Sequence, residues 1–193
     1  MASIMRFDTL QSTTGNQALT INAAGSVSIP GSVVQVQYSR TDAVTTYSSA
    51  TSGNGNTVTD LNLTITPKFS NSRLIIQWMI NGEFHQDNVF LIHKNGSLIT
   101  DVGATGYNAT IGNSRWSGFA TAFYDQNEDS TPSNWFLQYS IIAGSTSSMT
   151  FAPAVRSSGA TAYTFALNRT INAASQDNYE RMVSTGTIWE IAQ

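Results

Sequence analysis

Cysteine is absent from the 193 residues. That removes disulfide scaffolds and thiolate metal sites, and it leaves the final compartment open. Charge is scarce as well: Asp, Glu, Lys and Arg make up 11% of the chain, against roughly 25% in an ordinary soluble domain. The formal net charge is −3 and the basic residues stand singly, so nothing would neutralise a run of phosphates and nucleic acid is not an expected partner. No apolar stretch approaches the length that spans a bilayer, and no membrane insertion is expected. The opening residues lack a charged-then-apolar layout, so a secretory signal is not expected either.

What fills the space left by charge is Ser, Thr, Asn, Gln and Gly, alongside 40% hydrophobic residues that include four Trp, seven Tyr and nine Phe. A disordered chain would show the opposite balance. The length suits one full-sized domain. No segment keeps helical spacing of apolar residues over three turns, whereas strand alternation recurs. Val34, Val36 and Tyr38 point one way, and Gln35, Gln37 and Ser39 the other. Leu61, Leu63 and Ile65 alternate with Asn62, Thr64 and Thr66 until Pro67 stops the run. Residues 73–81 are apolar on both faces, with Leu74, Ile76, Trp78 and Ile80 on one and Ile75 and Met79 on the other. Such a strand is central, or has its second face covered by another subunit. Residues 89–94 and 97–100 flank Asn95-Gly96, a type I′ hairpin signal. Further strands are expected over 116–124, 135–142, 149–151, 161–167 and 185–191.

The fold class expected is therefore all-β, an antiparallel sandwich of jelly-roll type, with the strand order left open. Residues 32–193 form its head. Residues 1–31 carry little apolar mass and end at Pro30-Gly31, which reads as a joint. Within them, 18–22 and 26–29 flank Ala23-Ala24-Gly25 as a small hairpin, which cannot stand alone in water. Thirty extended residues reach roughly 100 Å, enough to clasp a neighbouring subunit or a larger particle. The alternative is a hairpin folded back on its own sandwich.

The opening residues Asp8, Leu10-Gln11, Thr14-Gly15-Asn16, Ala18-Leu19-Thr20-Ile21-Asn22 and Gly25-Ser26-Val27 form a pattern. It continues through Val33-Val34-Gln35-Val36, Leu63-Thr64-Ile65-Thr66-Pro67 and Ser72-Arg73-Leu74-Ile75-Ile76. It returns at Lys94-Asn95-Gly96 and Thr187-Ile188-Trp189-Glu190-Ile191. This spread of short matches resembles the small fibre-like virion proteins of tailed phages, marine and cyanobacterial ones especially. Residues 101–180 take no part in it. The resemblance implies a virion component, assembled in the host cytoplasm, and a homotrimer; it supplies no binding residues. The arm would hold another virion protein through Asp8, Leu10, Gln11, Leu19, Ile21, Val27 and Ile29.

Chemistry-bearing clusters are few. Glu83, His85 and Asp87 would share one face of a strand and could take a divalent metal; the competing reading is a polar loop end after Asn81-Gly82. Asp125, Asn127 and Asp129 repeat the first half of a calcium loop, but Ser130 stands where the turn glycine belongs and Phe136 where the bidentate Glu belongs. A solvated acidic loop is the better reading. Both His residues lie in one short stretch with no nucleophile elbow nearby, so no Ser-His-acid arrangement can be argued. Neither an enzyme nor a cofactor is expected. Asn62, Asn95, Asn108 and Asn168 head N-x-S/T triplets of the kind a chain rich in Asn and Thr produces by chance. Asn54, Asn56, Tyr107 and Asn108, on polar glycine-bearing loops, are the candidates for contact with a host-surface glycan. Two function classes follow: a small tail fibre with a host-binding head, or a capsid decoration or head fibre gripping coat subunits. A polysaccharide-degrading spike is a remote third.

Overall fold

The computed structural model describes residues 9–11, 14–15, 17–21, 23, 25–99, 110–111, 115–116, 118–123, 130–172 and 180–193. Among them are seventeen strands, one 3-10 turn and no α-helix. Three short strands come first: β1 (Thr9–Gln11), β2 (Gln17–Ile21) and β3 (Val27–Ser28), an antiparallel sheet in that order. Ile21 pairs with Val27 and Thr20 with Ser28, which is the hairpin expected from the sequence, and β1 adds along its other side. The chain leaves this sheet by a tight turn. Ser32 N–H donates to the Ile29 carbonyl at 2.9 Å, and Gly31 has a φ of 81°. Pro first and a positive φ second is the type II arrangement. Gly31 N–H then donates to the Ala192 carbonyl, and Ala192 N–H to the Ser32 carbonyl, both at 2.9 Å.

The body follows: β4 (Val33–Thr41), β5 (Thr46–Ser48), β6 (Asn56–Thr57), β7 (Leu63–Ile65), β8 (Arg73–Phe84), β9 (Asn88–Lys94), β10 (Ser97–Leu98), β11 (Thr110–Ile111), β12 (Arg115–Trp116), β13 (Ala120–Thr121), β14 (Ser133–Ile142), β15 (Met149–Ser157), β16 (Thr164–Leu167) and β17 (Ser184–Ile191). One sheet runs β4–β17–β8–β14, the other β7–β15–β9–β13, all antiparallel. Numbered by chain order, those eight strands read first, eighth, third, sixth in one sheet and second, seventh, fourth, fifth in the other. This interleaving is the double Greek key of a jelly roll. The remaining body strands extend it: β10 returns from β9 through Asn95 and Gly96, both at positive φ as a type I′ turn needs, β6 continues the β7 side of β15, and β16 with β5 continues the β17 side of β8.

The edge of β8 changes partner between residues 79 and 82, from β17 to β16. A buried polar knot holds that fork. Asn168, in left-handed backbone, donates from Nδ2 to the carbonyls of Thr41 (3.0 Å) and Ala43 (2.9 Å) and accepts the Ser184 hydroxyl at 2.7 Å. Its own N–H reaches the Asn81 carbonyl. The inner faces supply the core: Leu74, Ile76, Trp78 and Ile80 from β8, Leu137 and Tyr139 from β14, Phe90 and Ile92 from β9, Phe151 and Val155 from β15. Each such side chain contributes roughly 1.5–3 kcal/mol on burial. At one end Phe84, Phe90, Trp135 and Phe165 pack ring on ring, with centroids 5.0–6.3 Å apart.

Two elements depart from the expectation. The strand anticipated over 116–124 is broken: β12 pairs with β11, while β13 pairs with β9 at Val89 and Phe90. Between them a Cβ on Gly118 would stand 2.6 Å from the Phe90 carbonyl oxygen, so the backbone crosses too close to carry a side chain. The strand expected over 149–151 instead runs to Ser157, through Pro153. Its missing donor falls in the interval between β7 and β6, where the 3-10 turn Thr59–Leu61 replaces a strand and Val58 N–H meets the Pro153 carbonyl at 2.9 Å.

Candidate interaction surface

The two sheets treat their outer faces differently. Over β9 and β15 the outer face is covered by the chain itself: Val89, Leu91 and Ala154 are buried there with Leu98 against them, Gly55 lying over Leu91 and Gly118 over Val89. The glycine-rich stretch Gly53-Asn54-Gly55-Asn56 is pinned from below. His93 Nε2 donates to the Asn54 carbonyl at 2.9 Å, which fixes the tautomer and leaves Nδ1 to accept the Thr57 hydroxyl at 2.8 Å. Arg156 Nη1 donates to the Gly53 carbonyl at 2.8 Å; burial holds the Arg156 pKa below its ordinary value. Asn54 and Asn56 are exposed above this support, the latter donating from Nδ2 to the Ser48 carbonyl.

The outer face of the β4–β17–β8–β14 sheet has no such cover from the described residues. Val36, Trp189, Ile75 and Ser140 form one row across the four strands. Tyr38, Thr187, Gln77 and Gln138 form the next, and Arg40, Thr185, Met79 and Phe136 the third. Tyr38 is 64% exposed, Phe136 60% and Met79 54%. The apolar side of β4 thus looks outward and its Gln35-Gln37 side inward, the reverse of what burial of the greasier face would give. Cross-strand bonds tidy the polar members: Gln77 Nε2 donates to Gln138 Oε1 at 3.0 Å and Arg73 Nη1 to the Ser140 hydroxyl at 3.1 Å. Aromatics, Met and Arg with little other charge are what the centre of a protein interface selects. Sequence reasoning pointed at this face through Ile75 and Met79 but missed Tyr38, Phe136 and Trp189.

The other candidates fall as follows. Glu83 is buried, its carboxylate accepting the N–H groups of Thr131 (2.8 Å) and Ile171 (2.6 Å). His85 packs against Tyr163, and Asp87 takes a left-handed turn conformation whose carbonyl accepts from Ser158. These three do not converge, and no group of three metal-ligating side chains forms among the described residues. Asn168 is fully buried. In the arm, Leu10 pairs with Leu19 and Gln11 with Gln17; Leu19 and Ile21 are half-buried, and Val27 (48%) and Ile29 (51%) are exposed. An open groove of about 560 Å³ separates Ala23 and Ser26 of the arm from residues 66–71. Asp8, Tyr107, Asn108, Asp125, Asn127 and Asp129 lie outside the described residues. Among the described residues, no helix is long and apolar enough to cross a membrane.

Among solved structures, the chain is similar over 86% of its length to a chain of infectious bursal disease virus, Gx strain, at 15% identity and a TM-score of 0.34. It is likewise similar over 86% to a chain of T=1 particles derived from infectious bursal virus, at 14% identity and a TM-score of 0.37. It spans 40% of the first of those chains and 42% of the second. No family model matches the chain, and no curated protein does.

Proposed function

We propose that the protein is a structural and binding component of a tailed-phage virion, a small tail fibre that performs no catalytic step. In this reading it assembles as a homotrimer. Residues 1–31 hold it to another virion protein, and loops of the jelly-roll head touch a glycan of the host surface. The observation that carries the reading is the amount of apolar surface the chain leaves open, on one whole sheet face and on the arm, in a molecule otherwise poor in charge. A jelly roll is also a fold that coats and lectins share, which is support by analogy only. The loop carrying Asn54 has its backbone held from beneath, so little ordering would accompany a contact there. Individually weak contacts repeated on an oligomer gain from effective concentration on a repetitive surface.

Gold labelling of intact particles with antibody against residues 33–193, viewed by electron microscopy, tests this. Gold at the tail is the expected result. Gold spread over the head would replace the fibre reading with capsid decoration, with the arm gripping coat subunits, and virions without gold would end the structural reading.

A further inference from the structure

We infer that the open face of the β4–β17–β8–β14 sheet is where copies of this chain join, the β4 half of one protomer lying against the β14 half of the next. The inference rests on the oligomeric reading above and says which surface makes the oligomer. A rotation axis running along the strands keeps every row level while bringing opposite ends of the sheet together. Arg40 then meets Phe136, a cation over a ring. Tyr38 meets Gln138, a hydroxyl beside an amide, and Val36 meets Ser140. The β14 half carries no charge in these three rows, so Arg40 has no like charge to oppose it. The match is thus between two different halves of one face, which a second copy supplies and which a twofold or threefold ring closes. Along β8 and β14 the outward positions run in five rows about 6.6 Å apart, from Arg73–Ile142 to Asn81–Asn134. With four strands about 4.8 Å apart the whole face is on the order of 600 Å². A twofold would bury all of it, close to the roughly 800 Å² that one partner buries in a standard interface, and each contact of a threefold ring about half.

The absence of cysteine makes the test clean. Tyr38→Cys and Gln138→Cys are combined in the full chain, both at exposed positions that the fold tolerates. Within one chain those positions are three strand spacings apart, about 14 Å, beyond the roughly 7 Å a disulfide spans between Cα atoms. Mild oxidation should therefore give covalent dimers or trimers on a non-reducing gel, reversed by reductant, while each single variant stays monomeric. Met79→Glu, at the centre of the third row, should bring the light-scattering mass down to one chain. If the wild-type mass is a multiple of one chain but the double variant links no better than the singles, another surface makes the oligomer. If the wild type is a monomer, the oligomeric reading falls together with this face.

Discussion

Glu190 is fully buried, and the outward look of β4 follows from it. Its carboxylate accepts the N–H groups of Lys68 and Phe69 at 2.8–3.0 Å and the Gln35 amide at 2.5 Å. Taking a carboxylate out of water costs several kcal/mol, and charge-assisted bonds of this kind are what offset it. Gln35 must face inward to serve it, and Gln37, two residues on, supports Gln35 at 3.2 Å. A strand has a period of two, so Val36 and Tyr38 are then committed to the outside. A half-buried polar contact gives a pH-dependent prediction. The Tyr47 hydroxyl donates to the Asp60 carboxylate at 2.9 Å and receives the Asp60 N–H at 3.1 Å. Burial, foremost, pushes its pKa above the ordinary 10.0. The native state then keeps the phenolic proton at pH values where the unfolded chain has lost it. The stabilisation is complete below pH 10 and disappears as pH rises through the folded pKa. In urea titrations the wild type should exceed Tyr47→Phe in stability near neutrality, and the gap should narrow above pH 10. A gap that stays constant there would mean that Tyr47 ionises as freely folded as unfolded.

At the scale of elements, the junction of β8 with β16 tolerates least. A Cβ on Gly82 would lie 2.2 Å from the Ala166 carbonyl oxygen and 3.1 Å from the Phe165 ring. The obstacle is backbone, so Gly82→Ala must push β16 away and drag Phe165 out of the aromatic cluster. Overpacking typically costs about 1–3 kcal/mol and a backbone obstacle puts this change at the upper end, about 3 kcal/mol, which a melting curve should show as a fall of roughly 6–12 °C. An unchanged melting temperature would mean that β16 is loosely held. Neither this junction nor the strand order was legible from local pattern, because both depend on partners far along the chain. What was legible were β4 and β7 through strict alternation, β8 through its two apolar faces, and the β9–β10 hairpin marked by Asn95-Gly96. Elements of two or three residues such as β5 and β6 carry no readable period, and the passage of β15 through Pro153 depends on a gap in its neighbour. The interaction face was half legible. Two-sided apolar patterning in β8 announced a covered second face, but alternation in β4 gives a period without saying which side is in. The residue that decides, Glu190, is 155 positions from Gln35.

At the scale of the whole molecule, the two open apolar surfaces lie on different sheets and should fail separately. The face over β8 belongs to the jelly roll, whereas Val27 and Ile29 belong to a small sheet joined to it through the Pro30-Gly31 turn. A sheet of three short strands has too little buried surface to be stable on its own, and its exposed side chains are the material available for gripping a partner. Because both are about half exposed, Val27→Asp with Ile29→Asp should change the stability of the free protein by no more than about 0.5 kcal/mol. Its light-scattering mass should also stay that of the wild type, since the sheet face is untouched. What should drop is the amount retained by particles assembled with the variant, read by immunoblot of purified virions against another virion protein. The Met79→Glu variant offers the converse: an intact arm on a chain that no longer self-associates. If the arm variant is retained at the wild-type level, attachment does not pass through Val27 and Ile29, and the grip has to be sought on the jelly roll itself. If it is lost while its mass and stability hold, the chain divides its work as the two surfaces suggest, with the arm for the particle and the sheet for its own kind.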